Sequence, residues 1–277
     1  MTIENSGITY ATPTAKLLHV SPLVNAEIAG RVAYDSFEHS EHEQVKEFNG
    51  FPVAEVDHSK LMDQLCHVYF HDSVAEHINL TFYLNTSRGV LQEIARHRIA
   101  SYTVRSTRYT MSAIINAFVA DKTKNISNTI PSDWFIETLL DMDLFITTDK
   151  DYNALQITDI WNRLNLQYKK LGTEKFRKTA VAKSSMEIFD GLVEGNPSAI
   201  FEYLQEGKKK RNVGDSFKHI VNDNWKVDLV MTMNLRSLKN FYQLRDSGAA
   251  YFLIKALAKA MKEVTPKRYL DLIVKEK

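Results

Sequence analysis

Between Arg96 and Tyr109 the chain reads RHRIASYTVRSTRY, which gathers Arg96, Arg98, Arg105 and Arg108 with His97, Ser101, Tyr102, Thr103, Ser106 and Thr107. Guanidinium forks match phosphate oxygens bidentately, hydroxyls add short hydrogen bonds, and a loop after a helix can turn backbone N–H groups toward the same anion. The segment is therefore a candidate anion site, and a phosphorylated small molecule is its natural ligand. The plainer alternative is that Arg96, His97 and Arg98 complement the negative end of their helix, a surface effect of roughly 0.3–1 kcal/mol per cation.

A second candidate lies near the C-terminus, in NLRSLKNFYQLR from Asn234 to Arg245. Leu238, Phe241, Tyr242 and Arg245 fall on one helical stripe, so Arg245 points where apolar side chains point. A guanidinium in such a place is costly unless paired, so an internal carboxylate or a bound anion should face it; snorkelling to solvent at the helix end is the alternative. Arg236 and Asn240, four apart on another face, can grip one ligand together.

Two further groups are weaker. His67 and His71 lie four apart with Glu76 and His77 close behind, which admits a metal-dependent hydrolase, although the HExxH core is missing. Cys66 is the only cysteine, so intrachain disulfides and all-cysteine metal cages are excluded; within LMDQLCHVYFH it reads as a small core thiol rather than a nucleophile.

The elements that must position these residues follow from periodicity. Apolar positions recur at helical spacing from Pro52 to about His71, and then Ile78, Leu80, Phe82 and Leu84 alternate with polar neighbours as a half-buried strand. Ser87 can cap a following helix with Val90, Leu91, Ile94 and Ala95 on its apolar face. Val227, Leu229, Met231 and Met233 alternate in the same strand fashion before a helix from about Arg236 to Leu244. A last helix, about Ala249 to Val264, has an apolar surface of Phe252, Leu253, Ala256, Leu257, Ala260 and Met261. Amphipathic helices are also expected over Tyr152 to Leu171 and Lys175 to Leu192. The pattern is α+β, a mixed sheet packed with several helices; without βαβ alternation or a glycine fingerprint it is not a Rossmann fold. One domain over 1–277, with a long helical middle segment at about 118–215, fits.

The composition supports a globular core, with 44% hydrophobic and 25% charged residues among 277. Lys and Arg number 35 against 34 Asp and Glu, which argues against a dedicated nucleic-acid binder held by phosphate contacts, so an RNA-binding module built on the arginine-rich loop is disfavoured. The basic run Lys208 to Arg211 reads as hydrated surface. The N-terminus lacks a signal-peptide pattern and no run reaches membrane-spanning length, so a cytoplasmic protein without membrane contact is expected.

Arg96, His97 and Arg98, seven further residues and then Ser106 match the RHR-x7-S signature of flavin-dependent thymidylate synthases. At average residue usage that constellation arises in a chain of this length about once in a thousand. HDSVAEHINLTFYL, from His71 to Leu84, resembles the family's segment upstream of the signature, and Asn234 to Arg245 resembles its C-terminal segment. The middle is long for the family. The resemblance implies reductive methylation of dUMP to dTMP, with FAD as hydride carrier, NADPH as reductant, methylenetetrahydrofolate as carbon donor and no metal. It implies a homotetramer with sites shared between subunits. It places His71, Ser73, Arg96, His97, Arg98, Asn234, Arg236 and Asn240 at FAD, and Gln92, Glu93, Arg96, Ser106, Thr107, Arg108 and Arg245 at dUMP. It implies that Arg245 is the catalytic residue, set against the uracil. Four departures stand out: Val104 for an acidic residue, Thr103 for asparagine, Glu93 for a glutamine often used for dUMP, and Ala249 where some relatives have histidine.

Overall fold

The computed structural model describes residues 2–5, 7–50, 53–56, 59–110, 132–171 and 221–274. In chain order its main elements are β1 (Thr2–Asn5), β2 (Ile8–Ala11), β3 (Thr14–Val20), α1 (Val24–Tyr34), α2 (Lys60–Asp63), β4 (Asn79–Ser87), α3 (Arg88–Ile94), β5 (Ala100–Val104), α4 (Ser132–Asp141), α5 (Lys150–Leu171), β6 (Lys226–Asn234), α6 (Leu235–Arg245) and α7 (Phe252–Val264). They fall into two compact units, one of Met1–Ala11 with Arg105–Lys226 and one of Thr12–Val104 with Val227–Lys277.

The second unit holds a four-stranded sheet in the order β3-β4-β6-β5. The β3–β4 and β5–β6 ladders are antiparallel. Thr81 Oγ1 meets Thr232 Oγ1 at 2.9 Å and Asn85 Nδ2 donates to Asp228 Oδ1 at 2.6 Å, a register in which β4 and β6 also run in opposite directions. The alternation read in the sequence is observed: Leu80, Phe82 and Leu84 of β4 and Val227, Leu229, Met231 and Met233 of β6 are buried, and Ile78 just before β4 is buried too. Val90 and Ile94 of α3, Leu238 and Phe241 of α6, and Leu253, Ile254, Leu257 and Met261 of α7 complete the core. Each such side chain contributes roughly 1.5–3 kcal/mol by leaving water. The α+β expectation holds.

Several boundaries move, each for a local reason. The helix expected from Pro52 begins at Lys60, where the Ser59 hydroxyl accepts from the Met62 N–H. It then widens into a π-turn at Gln64–Val68. Ala95, expected on the apolar face of α3, is exposed because that helix ends at Ile94. The last helix starts at Phe252 rather than Ala249 and buries Ile254 and Ala258 in place of Ala256 and Ala260. It is core, packed on β3. The segment after Arg98, expected as loop, contains β5.

The first unit carries the β1–β2 hairpin, turned at Gly7 with φ +80°. The Ala11 N–H donates to Ile146 O at 2.7 Å, the Phe145 and Trp225 rings meet edge to face, and α4 packs on α5. Helix α5 agrees with the expected span ending at Leu171. The helix expected over Lys175 to Leu192 and the basic run Lys208 to Arg211 lie outside the described residues.

Candidate active site

Two strand–helix units of the same construction set the site. Strand β4 ends at Ser87, whose hydroxyl accepts from the Val90 N–H and starts α3. Strand β6 ends at Asn234, whose side-chain oxygen accepts from the Ser237 N–H at 2.8 Å and starts α6. A capping side chain satisfies a backbone donor that the first turn leaves without a partner. Because β4 and β6 are neighbours in the sheet, the residues that end α3 and α6 can meet.

They meet at Arg245. Its Nη1 donates to Glu93 Oε2 at 2.7 Å, its Nη2 to the Glu93 main-chain oxygen at 3.2 Å and its Nε to His97 Nε2 at 3.1 Å. The Arg245 and Glu93 side chains are 18% and 29% exposed, so the pair is half-buried. The carboxylate that the apolar stripe required is therefore Glu93. Since Arg245 Nε must donate, His97 Nε2 must accept, which requires a neutral imidazole with its proton on Nδ1. Burial, and then the Arg245 charge, push the His97 pKa below 6.5, in agreement with that state. The His97 ring also lies edge to face with Phe241, centroids 5.0 Å apart.

Tyr102 of β5 fixes the RHR turn from the other side. Its hydroxyl lies 2.7 Å from His97 O and 3.0 Å from Ile94 O, which also accepts from the His97 N–H, so the phenol shares its proton between the two carbonyls. Burial pushes the Tyr102 pKa up, so the phenol stays protonated and remains a donor. Arg96 and Arg98, on either side of His97, are exposed.

The other end of α6 carries two ion pairs, one exposed and one half-buried. Arg236 Nη1 contacts Glu76 Oε1, and Lys239 Nζ donates to Asp72 Oδ1 at 2.8 Å and Oδ2 at 3.0 Å. Asp72 and Glu76 belong to the 3-10 turn Asp72–His77, which also carries Ser73 and follows His71. Ser73, His71 and Asn240 are exposed, and the Tyr34 hydroxyl lies 3.1 Å from His71 Nδ1. Exposed guanidinium, amide, hydroxyl and imidazole groups on two packed elements form a donor set suited to an anionic dinucleotide. Gln92 is exposed on α3.

Ser106, Thr107 and Arg108 belong to the first unit, where residues 107–110 form a helical turn. The Ser106 hydroxyl accepts from the Arg108 N–H at 3.3 Å. Arg108 and Tyr109 are exposed.

The weaker groups find structural roles. Cys66 is buried, and burial first, then the negative charge of Asp72, pushes its pKa up to about 11, so it is a neutral core thiol. His67 Nε2 lies 2.6 Å from Asp271 O while His71 turns to Tyr34, so the two histidines face different partners. Asp72, Lys239 and Tyr34 were not singled out from the sequence. The i, i+3 spacing of Arg236 and Lys239 was the available sign that two cations of one helix share a face.

An α+β scaffold that ends two neighbouring helices in a cluster of arginine, histidine and glutamate defines an anion-handling enzyme site. A family model described as "Thymidylate synthase complementing protein" matches residues 16–268. The chain belongs to this family, the flavin-dependent thymidylate synthases, enzymes that make dTMP from dUMP. The flavin-dependent thymidylate synthase of Campylobacter jejuni is 26% identical over 254 residues, 91% of this chain and 92% of that one. That of Wolinella succinogenes is 27% identical over 269 residues, 95% and 99% of the two chains. These relatives are of comparable overall length. A crystal structure of the flavin-dependent thymidylate synthase ThyX from Helicobacter pylori, complexed with FAD and dUMP, superimposes with a TM-score of 0.57 at 22% identity, covering 94% of this chain and 97% of that one. That likeness establishes the fold. The metal-hydrolase and RNA-module alternatives give way to the family assignment.

Proposed function

We propose that the chain converts dUMP to dTMP with FAD as its cofactor, NADPH as reductant and methylenetetrahydrofolate as carbon donor, and that Arg245 is the catalytic residue. The observation that carries this reading is the fixed Arg245 guanidinium. Three of its five N–H groups reach Glu93 and His97, which leaves two for a ligand. A guanidinium keeps its proton at neutral pH, so Arg245 is no general base; held in place beforehand, it stabilises negative charge that develops on a pyrimidine ring. That charge makes the ring carbon nucleophilic. No thiolate is needed, and the raised pKa of buried Cys66 agrees with its having no part.

When bound, FAD supplies the hydride that no side chain of the protein can provide. His71, Ser73, Arg236 and Asn240 form one set of donors for it, Arg96, His97 and Arg98 another, and Asn234, which caps α6, is assigned to it by the family resemblance. Arg96 also lies toward the nucleotide, Gln92 and Glu93 belong to the dUMP side, and Ser106, Thr107 and Arg108 take the nucleotide phosphate. Residues 1–277 serve as one catalytic domain, and the working form is a cytoplasmic homotetramer. The absorption spectrum of the purified protein tests the cofactor assignment: flavin bands are expected, and a preparation that stays colourless after incubation with FAD contradicts it.

A further inference from the structure

Every acceptor of Arg245 lies on one short stretch, between Glu93 and His97 at the C-terminal end of α3. The main-chain oxygen of Glu93 belongs to the helix backbone, and the His97 ring is held against Phe241. The Glu93 carboxylate makes the one contact of the three that is an ion pair, and at 2.7 Å the shortest. Three points fix the plane of a guanidinium; two would leave it free to turn about its long stem. A cation that stabilises developing charge is effective only if it does not have to reorient as the charge appears.

An ionised carboxylate accepts hydrogen bonds and donates none, and the uracil carbonyls also only accept. Glu93 is therefore ill suited to grip the nucleotide through those oxygens, whereas it is well matched to Arg245. We propose that Glu93 is a positioning residue that aims the two remaining N–H groups of Arg245 at the pyrimidine, and that it acts through Arg245 rather than by holding dUMP. The assignment rests on the proposed reaction. It replaces the direct dUMP contact that the glutamine of the family pattern suggests for this position.

The test compares Glu93→Ala, Glu93→Gln, Arg245→Ala and the double variant Glu93→Ala/Arg245→Ala in the FAD-loaded enzyme. Glu93→Ala is expected to lower kcat roughly tenfold to a hundredfold, as misorientation of a reacting group does, while dUMP affinity measured by calorimetry changes less than about threefold. Glu93→Gln, whose amide oxygen still accepts from Nη1, recovers most of the rate. The double variant is no slower than Arg245→Ala alone, because the two residues act as one unit. In thermal unfolding without substrates, the losses from Glu93→Ala and Arg245→Ala are less than additive. Full activity in Glu93→Ala, a loss of dUMP affinity as large as the loss of kcat, or additive unfolding losses overturns the positioning role and leaves the proposed reaction standing. A wild-type chain that makes no dTMP overturns both.

Discussion

The two ends of α6 hold arginines in opposite surroundings. At its start Arg236 and Lys239 pair with Glu76 and Asp72, and the Arg236 pair is largely exposed at 55% and 42%. At its end Arg245 is half-buried and held from three directions. Arg245 follows Arg236 by nine helical positions, about 13.5 Å along the axis. An exposed pair is screened by salt and exchanges partners readily, which suits the proposed role of Arg236 at the cofactor. A half-buried cation with fixed acceptors holds its orientation, which suits the stabilisation of charge during reaction. On the proposed assignment the two arginines of one helix differ in burial rather than in residue type, while Lys239 and Asp72 beside Arg236 are as enclosed as Arg245 and Glu93.

That comparison breaks most visibly in turnover. Arg245→Ala is expected to lower kcat roughly 10²–10³-fold, as removal of a fixed donor to developing charge does, while the flavin spectrum persists; steady-state assay beside the absorption spectrum checks it. Arg236→Ala should do the reverse, weakening FAD about tenfold to a hundredfold, as loss of a charged hydrogen bond does, with turnover retained at saturating cofactor; fluorescence titration with FAD reads the shift. Tyr102→Phe removes the shared proton from the Ile94 and His97 carbonyls and should cost about 1 kcal/mol of stability, seen in denaturant unfolding.

The smallest effect is the pH dependence of the buried end. The His97 pKa lies below 6.5 in the folded chain, so below pH 6.5 the unfolded chain binds more protons at this site. Its contribution to stability is intact above 6.5 and declines as the pH falls toward the folded pKa. His97→Gln, which keeps a neutral acceptor, should flatten that decline in melting curves taken across this range. An equal decline in the wild type and the variant contradicts it.

The sequence made β4, β6 and the cap of α3 legible because each depends on near neighbours: period-two burial in the strands, and Ser87 as a hydroxyl before a helical pattern. It hid β5, an edge strand whose burial barely alternates, and β3, whose register shifts at Leu17/His19. The apolar stripe around Arg245 foretold a charged partner but not its identity, since Glu93 lies 152 residues away in the chain. Asn234 shows the converse. The resemblance assigned it to FAD, while its position before α6 was enough to foretell the cap it forms. Tyr102 stood in the arginine-rich segment as one hydroxyl among several, and only the pairing of β5 with β6 at Tyr102 and Met231 reveals what it holds.

The most direct test of the account is product formation by the purified protein given dUMP, methylenetetrahydrofolate, NADPH and FAD, with Arg245→Ala assayed alongside. The account predicts that dTMP accumulates with the wild-type chain, requires FAD, and is all but lost in the variant although the variant still binds the flavin. No dTMP from the wild type, or equal dTMP from the two proteins, contradicts it.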